Sequence, residues 1–492
     1  MSICNSCSHG EDNELEKIEN VPIKEIRREK KAHFVQFITI LSAYIFLIDG
    51  GAHMVWTSPS LPYLKSENSH IPITQEKASY LLYLISFSSI FGPFLYLLIT
   101  KQLGRKNTIL LLGTLQLLSW ILTNIATNYT LLCVAKLTFG LAFSAICSAI
   151  PIYIGEIADK QIRGTYLSII IICSSIGAFL MALSGALLNH KTMNLVMTMM
   201  PIFGFAMSIF MTETPYYYLM KGFEEEAIQV LMKLTSVTRR ELIADDIERM
   251  KKTLIENEKI ETNILRDLFI DKGGRKAFII VVITASFSGL SGYIAIQAFA
   301  EEILSYSDSA LSAKHGTMIL TGIQIFSGLT SSLLIDTWGR KPTCLISGLL
   351  SSLSLAMVGI FYLFQYFFQF DVKFFAFAPL VGLICFTFSC NIGINPISFI
   401  YVGEIFPIHL KEYAAMTGGI TFSIGCLTSN FILHSFNANG NIYVAFWIFS
   451  IFCILQAFIV WFVMPETMGK NLEEILLIMG YEKKQSEKNN IC

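Results

Sequence analysis

Three short patterns each occur twice in this chain, in the same order and at offsets of 235, 248 and 253 residues. Three ordered matches at about half of the 492 residues indicate a duplicated and fused unit. Each copy lies at the end of a long apolar run, so we expect the unit to be embedded in a membrane. Two homologous membrane halves are typical of transporters, whose site lies between them. The paired segments are 104–106 with 339–341, 153–163 with 401–411, and 211–215 with 464–468.

The composition also indicates a membrane protein. Hydrophobic residues make up 53% of the chain and charged residues only 15%, whereas soluble domains carry about a quarter charged residues. The apolar runs that are long enough to cross a bilayer predict an all-α membrane protein with twelve transmembrane helices. The predicted spans are 34–57, 79–99, 107–127, 130–153, 165–188, 194–211, 276–299, 316–337, 342–364, 374–402, 413–434 and 441–464. The predicted divisions are a tail over 1–33, a six-helix half over 34–211, a linker over 212–275, a second six-helix half over 276–464, and a tail over 465–492.

Lysine and arginine are distributed unevenly between the two sides of this predicted bundle. The side with both termini and the linker carries 30 of the 36 basic residues, and the opposite side carries five. Because basic residues concentrate in cytoplasmic loops, we expect both termini in the cytosol. The first 33 residues lack the apolar core and cleavage site of a signal peptide. We therefore expect a multi-pass protein of the plasma membrane whose first span is retained.

The linker has a helical pattern of its own. Glu224 to Glu226 open a run in which apolar residues recur at helical spacing, and a second such run begins at Ile243. These runs predict amphipathic cytosolic helices that pack beneath the bundle. The alternative is a linker without defined structure.

Several functional classes are disfavoured by the sequence. A net charge of −1 gives no reason to expect a nucleic-acid partner. Cys4 and Cys7 have the spacing of half a zinc site but lack a second pair, so we expect no metal. No phosphate-binding glycine loop or nucleophile triad is found, and we expect neither enzymatic activity nor a cofactor. The expected partners are a lipid bilayer and a small molecule, without an obligate protein partner.

Motifs at the span ends identify a family that this chain resembles. The segments are Gly104–Lys106, Gly339–Lys341, Glu156 with Arg163 and Gly164, Glu213–Pro215, and Pro465–Lys470. Together they resemble the sugar porter family of the major facilitator superfamily over about residues 34–480. Within that family, Trp56–Pro59 with Leu61 and Pro62 resembles the insect trehalose and glucose facilitators.

Acidic and basic side chains recur at the predicted cytosolic span ends of both halves. Charge-assisted hydrogen bonds between helices there are expected to link the two halves and hold that side shut, so that each pair biases a two-state equilibrium. Exposed pairs contribute only about 0–1 kcal/mol each, so several must act together. The alternative is that the basic residues only follow the positive-inside rule. The predicted gate comprises Arg105, Glu156, Arg163, Glu213, Asp336, Arg340, Glu404, Lys411 and Glu466.

The resemblance implies a sugar site in the middle of the membrane, made of amides and an aromatic face. Span 7 departs from the family, because Ser288 and Gly289 replace two glutamines and Ile294 replaces an asparagine. The alternative role for the remaining buried amides is hydrogen bonding between helices. The predicted substrate-binding residues are Gln297, Gln324, Asn391, Asn395, Phe399 and Asn430.

Two charged residues lie at similar depths within the first half. Asp49 is in span 1 and Lys136 is in span 4, where the family has arginine. A lone charge at the centre of a transmembrane helix is costly, so we expect an intramembrane ion pair. Proton coupling and the absence of any contact are the alternatives.

The functional prediction is facilitated movement of a neutral sugar, trehalose or a hexose such as glucose, by alternating access. The alternatives are a proton-coupled symporter and a non-transporting sugar sensor on the same scaffold. The altered span 7 is the feature that favours the sensor.

Overall fold

The computed structural model describes residues 8–67, 69–159, 162–237, 239–260, 271–307, 311–370, 373–407, 410–470 and 472–481. Within these ranges the chain is helical and contains no β-strand. The helices of the first half are α1 (Ser8–Val55), α2 (Thr57–Lys65), α3 (Gln75–Ser89), α4 (Gly92–Leu103), α5 (Arg105–Ile125), α6 (Tyr129–Ile157), α7 (Arg163–Leu187) and α8 (His190–Met207).

The linker and the second half are also helical. The linker helices are α9 (Pro215–Met220), α10 (Glu224–Thr235) and α11 (Ala244–Ile260). The later helices are α12 (Lys272–Leu290), α13 (Tyr293–Ala298), α14 (Ala300–Ser305), α15 (Ala313–Trp338), α16 (Arg340–Tyr366), α17 (Ala378–Ile392), α18 (Ile394–Glu404), α19 (Lys411–Ala438), α20 (Ile442–Val463) and α21 (Leu472–Met479).

The predicted twelve spans are confirmed. The described residues contain 11 helical segments that are long and apolar enough to cross a membrane, and the pair α3 and α4 makes a twelfth, bent by 41°. Three further spans include a break in the helix, namely α1 with α2, α12 with α13, and α17 with α18. Broken helices are tolerated in a membrane where neighbouring side chains satisfy the freed backbone groups.

Several helices begin at residues that the sequence makes suitable as caps. The side chains of Thr74, Asn128, Asn189 and Asp271 each accept a hydrogen bond from a backbone N–H in the first turn of α3, α6, α8 and α12. These bonds satisfy N–H groups that have no partner within the helix.

The two halves repeat one packing arrangement around close glycine contacts. In the first half α1 packs on α7, and in the second half α12 packs on α19. A Cβ atom on Gly177 would lie 1.8 Å from the Ile48 carbonyl oxygen, and one on Gly425 would lie 2.5 Å from that of Ser286. Because only glycine allows backbones to approach this closely, these contacts fix the helix spacing in each half.

The ends of the helices define two faces of the bundle. The face that carries the turns at Gly104 and Gly339 together with α9–α11 is called the linker face. There Gln36 Nε2 of α1 donates to the Leu234 carbonyl oxygen of α10 at 3.2 Å. The opposite end, where α2 ends at Lys65 and where α14 lies, is the distal face. The halves meet along α3 with α19 and along α7 with α15.

The predicted linker helices are also observed. Their apolar sides form a small hydrophobic core that is separate from the cores of the two halves. Its buried members are Ala227, Ile228, Leu231, Val237, Ile243 and Ile247.

Candidate substrate site and gates

A chain of polar side chains crosses the interior of the second half. Asn395 Oδ1 accepts a hydrogen bond from Ser288 Oγ at 3.0 Å, and Asn395 Nδ2 donates to Asn391 Oδ1 at 3.3 Å. Asn391 Nδ2 in turn donates to the Tyr293 hydroxyl at 2.8 Å. The Tyr293 hydroxyl also interacts with the side chain of Gln297, so these polar side chains lead to another of the predicted amides.

Two helix breaks place these residues together. Asn391 lies in the last turn of α17 and Asn395 in the first turn of α18, on either side of the break at Gly393. Tyr293 begins α13, directly after the break at Gly292. The freed backbone is satisfied locally, since Ser331 Oγ donates to the Ile392 carbonyl oxygen at 2.9 Å and Ser347 Oγ accepts from the Ile394 N–H at 3.1 Å. The amides are therefore held at an unwound point in the membrane, where transporters place their substrate sites.

Three of the predicted amides keep a buried polar atom without a hydrogen-bond partner among the described residues. These atoms are Gln324 Nε2, Gln297 Nε2 and Asn430 Oδ1. Gln324 is only 3% exposed. Buried polar atoms without partners are rare in proteins and costly, so each is available to a ligand hydroxyl. Asn430 also donates from Nδ2 to Ser86 Oγ of the first half at 3.0 Å.

Phe399 differs from the amides. It lies one turn along α18 from Asn395, is 54% exposed, and contacts the edge of the Phe422 ring with centroids 5.7 Å apart. Its role as a stacking platform stays a prediction.

Tyr293 was missed by sequence reasoning. It directly follows the Ser291–Gly292 step and lies one helical turn before Gln297. That position, in a predicted amide-bearing span, is the signal that could have identified it. Its contact with Asn391 depends on how α13 and α17 are rotated toward each other, which motif spacing does not encode.

The predicted ion pair between Asp49 and Lys136 is wrong for this structure. Asp49 Oδ1 accepts a hydrogen bond from Trp120 Nε1 at 2.7 Å. The ammonium of Lys136 lies 3.4 Å from the centroid of the Trp56 ring, an arrangement in which the negative ring face stabilises the cation. Trp56 is held in place by a bond from its Nε1 to Asn194 Oδ1 at 2.8 Å. Two tryptophans thus replace the direct charge pair.

The two ion pairs among the predicted gate side chains each lie within one half. Arg105 Nε and Nη2 both donate to Glu156 Oε1, at 3.1 and 3.0 Å. Arg340 Nη2 donates to Glu404 Oε1 at 2.9 Å. Each arginine begins a helix of the same half that carries its glutamate, so the duplicated motif ties neighbouring helices of one half together. Glu412 of the second half interacts electrostatically with Arg105.

Glu213 and Glu466 have a different role from the one predicted, because they cap helices. Glu213 accepts hydrogen bonds from the backbone N–H groups of Arg105, Lys106 and Thr214 at 2.9–3.2 Å. Glu466 accepts the equivalent bonds from Arg340, Lys341, Thr467 and Met468 at 2.9–3.1 Å. A carboxylate at a helix N-terminus also interacts favourably with the helix dipole.

The environments of the two caps differ. Burial raises the pKa of the Glu213 carboxyl above its usual range. Burial acts in the same direction on Glu466, but the backbone N–H bonds outweigh it and lower the pKa of that carboxyl. The duplicated cap is therefore more desolvated in the first half.

The remaining predicted gate residues make few contacts. Arg163 Nη2 donates to the Ala158 carbonyl oxygen at 3.3 Å, and its guanidinium acts electrostatically on Lys411 of the second half. These two like charges repel, so they do not hold the linker face shut. The side chain of Asp336 lies outside the described residues.

Bonds between the halves are found at and toward the distal face. Ser58 Oγ accepts from the Glu301 N–H at 3.1 Å, and Ser79 Oγ shares a hydrogen bond with His434 Nδ1 at 2.6 Å. In this structure the distal face therefore carries the polar contacts that the sequence predicted for the linker face. Within the described residues, no group of three His, Cys, Asp or Glu side chains is placed to hold a metal ion.

Solved structures and characterised proteins similar to this chain agree with the fold. The inward-open xylose transporter XylE from E. coli matches with a TM-score of 0.73 and 17% identity, over 90% of this chain and 99% of that one. The major facilitator superfamily proton:xylose symporter XylE, bound to 6-bromo-6-deoxy-D-glucose, matches with a TM-score of 0.70, 16% identity, and coverage of 92% and 99%.

Two curated relatives match most of this chain and most of their own length. The facilitated trehalose transporter Tret1 of Apis mellifera ligustica is 25% identical over 92% of this chain and 89% of its own length. The protein of the same name from Culex quinquefasciatus is 26% identical over 90% of this chain and 86% of its own length. The family model described as sugar (and other) transporter matches residues 39–478. This chain therefore belongs to the sugar (and other) transporter family and has the major facilitator fold.

Proposed function

We propose that this protein carries trehalose or a hexose across the plasma membrane, down the concentration gradient of the sugar. The observation that carries the proposal is the set of buried amide atoms without partners on Gln297, Gln324 and Asn430, together with the linked polar side chains at two helix breaks. Hydroxyl-rich neutral ligands satisfy such donors and acceptors without bringing a charge into the membrane. The names of the insect relatives support trehalose as the first sugar to test.

The orientation of the carrier follows from charge. The linker face, with its basic loops, is assigned to the cytosol, and the distal face is assigned to the outside. The bonds between the halves at the distal face then correspond to a state that is closed to the outside. Alternating access requires these bonds to break when the carrier opens outward.

Purified protein in proteoliposomes tests this function. We expect saturable equilibrium exchange of labelled trehalose or glucose, and net uptake that never exceeds equal sugar concentrations on the two sides, with or without a pH gradient. Empty liposomes and a charged sugar phosphate serve as controls. Absence of flux for every neutral sugar tested would contradict the proposal and favour the sensor.

A proton-coupled symporter is the second candidate, and one observation favours it. Asp49 Oδ2 and His53 Nδ1 are buried polar atoms without a hydrogen-bond partner in the described part of the chain. In the same liposomes, an imposed pH gradient would drive accumulation above equilibrium if protons were coupled. If the protein accumulated sugar under this gradient and Asp49→Asn did not, the protein would be a symporter and not a facilitator.

Entry of sugar is expected to slow as the external pH falls from 7.5 to 5.5. Burial raises the pKa of the Glu301 carboxyl to about 7 in the closed state, against the opposing attraction of Lys314. When the distal face opens, water reaches the carboxyl and its pKa returns toward 4.5. The closed state thus binds the proton more tightly, so the fall in pH favours closure by about 20-fold over this interval.

The measurement is initial uptake at two external pH values with the internal pH held constant. Glu301→Gln should remove this part of the pH dependence, whereas Glu76→Gln, an exposed acid nearby, should retain it. The other charged groups at this end, Glu302 and Lys65, are present in both variants. An unchanged pH profile in Glu301→Gln would assign the effect to another group, such as His434.

A further inference from the structure

One carboxylate at the distal face collects hydrogen bonds from both halves. Glu302 Oε2 accepts from Lys65 Nζ at 3.0 Å, and Oε1 accepts from Gln75 Nε2 at 2.7 Å. Both donors belong to the first half, whereas Glu302 belongs to the second. Within the second half, Oε1 also accepts from the Tyr306 hydroxyl at 2.6 Å and from Asn437 Nδ2 at 3.3 Å.

The surroundings of this carboxylate make its bonds stronger than those of a surface pair. The Glu302 side chain is 12% exposed and that of Lys65 is 30% exposed. Charge-assisted hydrogen bonds in a desolvated site are shorter and about twice as strong as neutral ones. Four donors on one carboxylate also restrict its rotamer, so the geometry of the contact is fixed from both sides.

The elements that carry these groups are separated from the rest of their spans by breaks in the helix. Lys65 ends α2, which follows the break at Trp56, and Glu302 lies in α14, which follows the breaks at Gly292 and Phe299. These are the outer parts of the first helix of each half. Opening the distal face requires α2 and α14 to separate, so every such opening must break the bonds from Lys65 and Gln75.

The linker face provides the contrast. Its ion pairs, Arg105 with Glu156 and Arg340 with Glu404, lie within one half each. Opening that face leaves both pairs intact. Opening the distal face, by contrast, separates the partners of the ion pair between Lys65 and Glu302.

We propose that Glu302 is a positioning residue of the transport cycle, which holds the distal face closed by bonding Lys65 and Gln75 of the opposite half. The proposal rests on alternating access, as proposed above. It does not depend on which sugar is carried, because Glu302 acts on the relative position of the halves.

Hydrogen–deuterium exchange of the full-length protein in lipid nanodiscs tests the proposal without any sugar. In Glu302→Gln we expect the amides of 57–65 and 299–307 to exchange about tenfold faster. The amides of 105–112 on the linker face should keep their wild-type rates. Glu76→Gln is the matched control, because it removes an exposed acid beside Gln75 and should leave all of these segments unchanged.

We call the contact of Glu302 with Lys65 and Gln75 the distal latch. Exchanging the charges of Lys65 and Glu302 distinguishes loss of the distal latch from a general loss of stability. Lys65→Glu alone should accelerate the same two segments, and Lys65→Glu combined with Glu302→Lys should recover part of the protection. The proposal would be overturned if the amides of Glu302→Gln exchanged at wild-type rates. It would also be overturned if exchange accelerated equally on both faces and the double variant recovered no protection. Absence of sugar flux together with the expected exchange pattern would reject only the proposed substrate.

Discussion

Replacing Glu213 with alanine is expected to lower the melting temperature of the purified protein more than the same change at Glu466. Both carboxylates cap the helix that begins at the repeated Gly-Arg-Lys motif. Glu213 is 7% exposed, whereas Glu466 is partly exposed to solvent. Water can replace the lost bonds at Glu466 but not at Glu213. The loss of bonds to a charged acceptor then leaves buried N–H groups without partners, at a cost of about 3 kcal/mol for Glu213.

The cap at Glu213 can also be tested by substituting Gly104, the residue before the capped helix. Gly104 precedes the capped helix with φ of +86°, and a Cβ atom there would lie 2.3 Å from Glu213 Oε2. At Gly339 the corresponding distance to Glu466 Oε2 is 3.0 Å. Gly104→Ala should therefore lower the melting temperature more than Gly339→Ala does. If Glu213→Ala and Glu466→Ala had equal melting temperatures, the greater burial of Glu213 would not make its cap more stabilising than that of Glu466.

The architecture was predictable from the sequence because lipid leaves few alternatives. Backbone polar groups in a bilayer must be satisfied within the segment, so long apolar runs become helices. The length of an apolar run located the span over α3 and α4, though not its bend, and apolar periodicity located the helices of the linker. The repeated motifs contain the glutamates and arginines that pair at the helix ends of each half.

The partners of those residues were harder to predict, for a physical reason. Asp49 and Lys136 lie at matching depths, but pairing also requires that their helices be rotated toward each other. In the structure the rings of Trp120 and Trp56 occupy those directions. Depth can be read from the distance along a span, whereas rotation depends on the packing of all neighbouring helices.

The distal latch was missed for a related reason. Glu301 and Glu302 are charged residues at the end of a span, where solvated side chains are the ordinary expectation. Their burial results from the approach of α2, which is separated from α14 by more than 200 residues of sequence. No local pattern marks such a contact.

Gln324→Leu is expected to lower kcat/KM for sugar exchange by about 10- to 100-fold, while leaving the thermal stability equal to or above that of the wild type. The reason is that Gln324 Nε2 is buried without a partner in this structure. Removing it therefore breaks no bond in the unliganded protein, but a sugar hydroxyl loses its donor.

Gln456 is the matched control because it is also a buried glutamine of the second half, 1% exposed. Its Nε2 already donates to the Ile394 carbonyl oxygen at 3.2 Å and to Ser398 Oγ at 3.3 Å. Gln456→Leu should therefore reduce stability, through bonds that hold α18 at the helix break. If Gln324→Leu instead lowered stability like Gln456→Leu and left exchange unchanged, Gln324 would be a structural amide. The sugar site would then have to be built around Asn391 and Tyr293 alone.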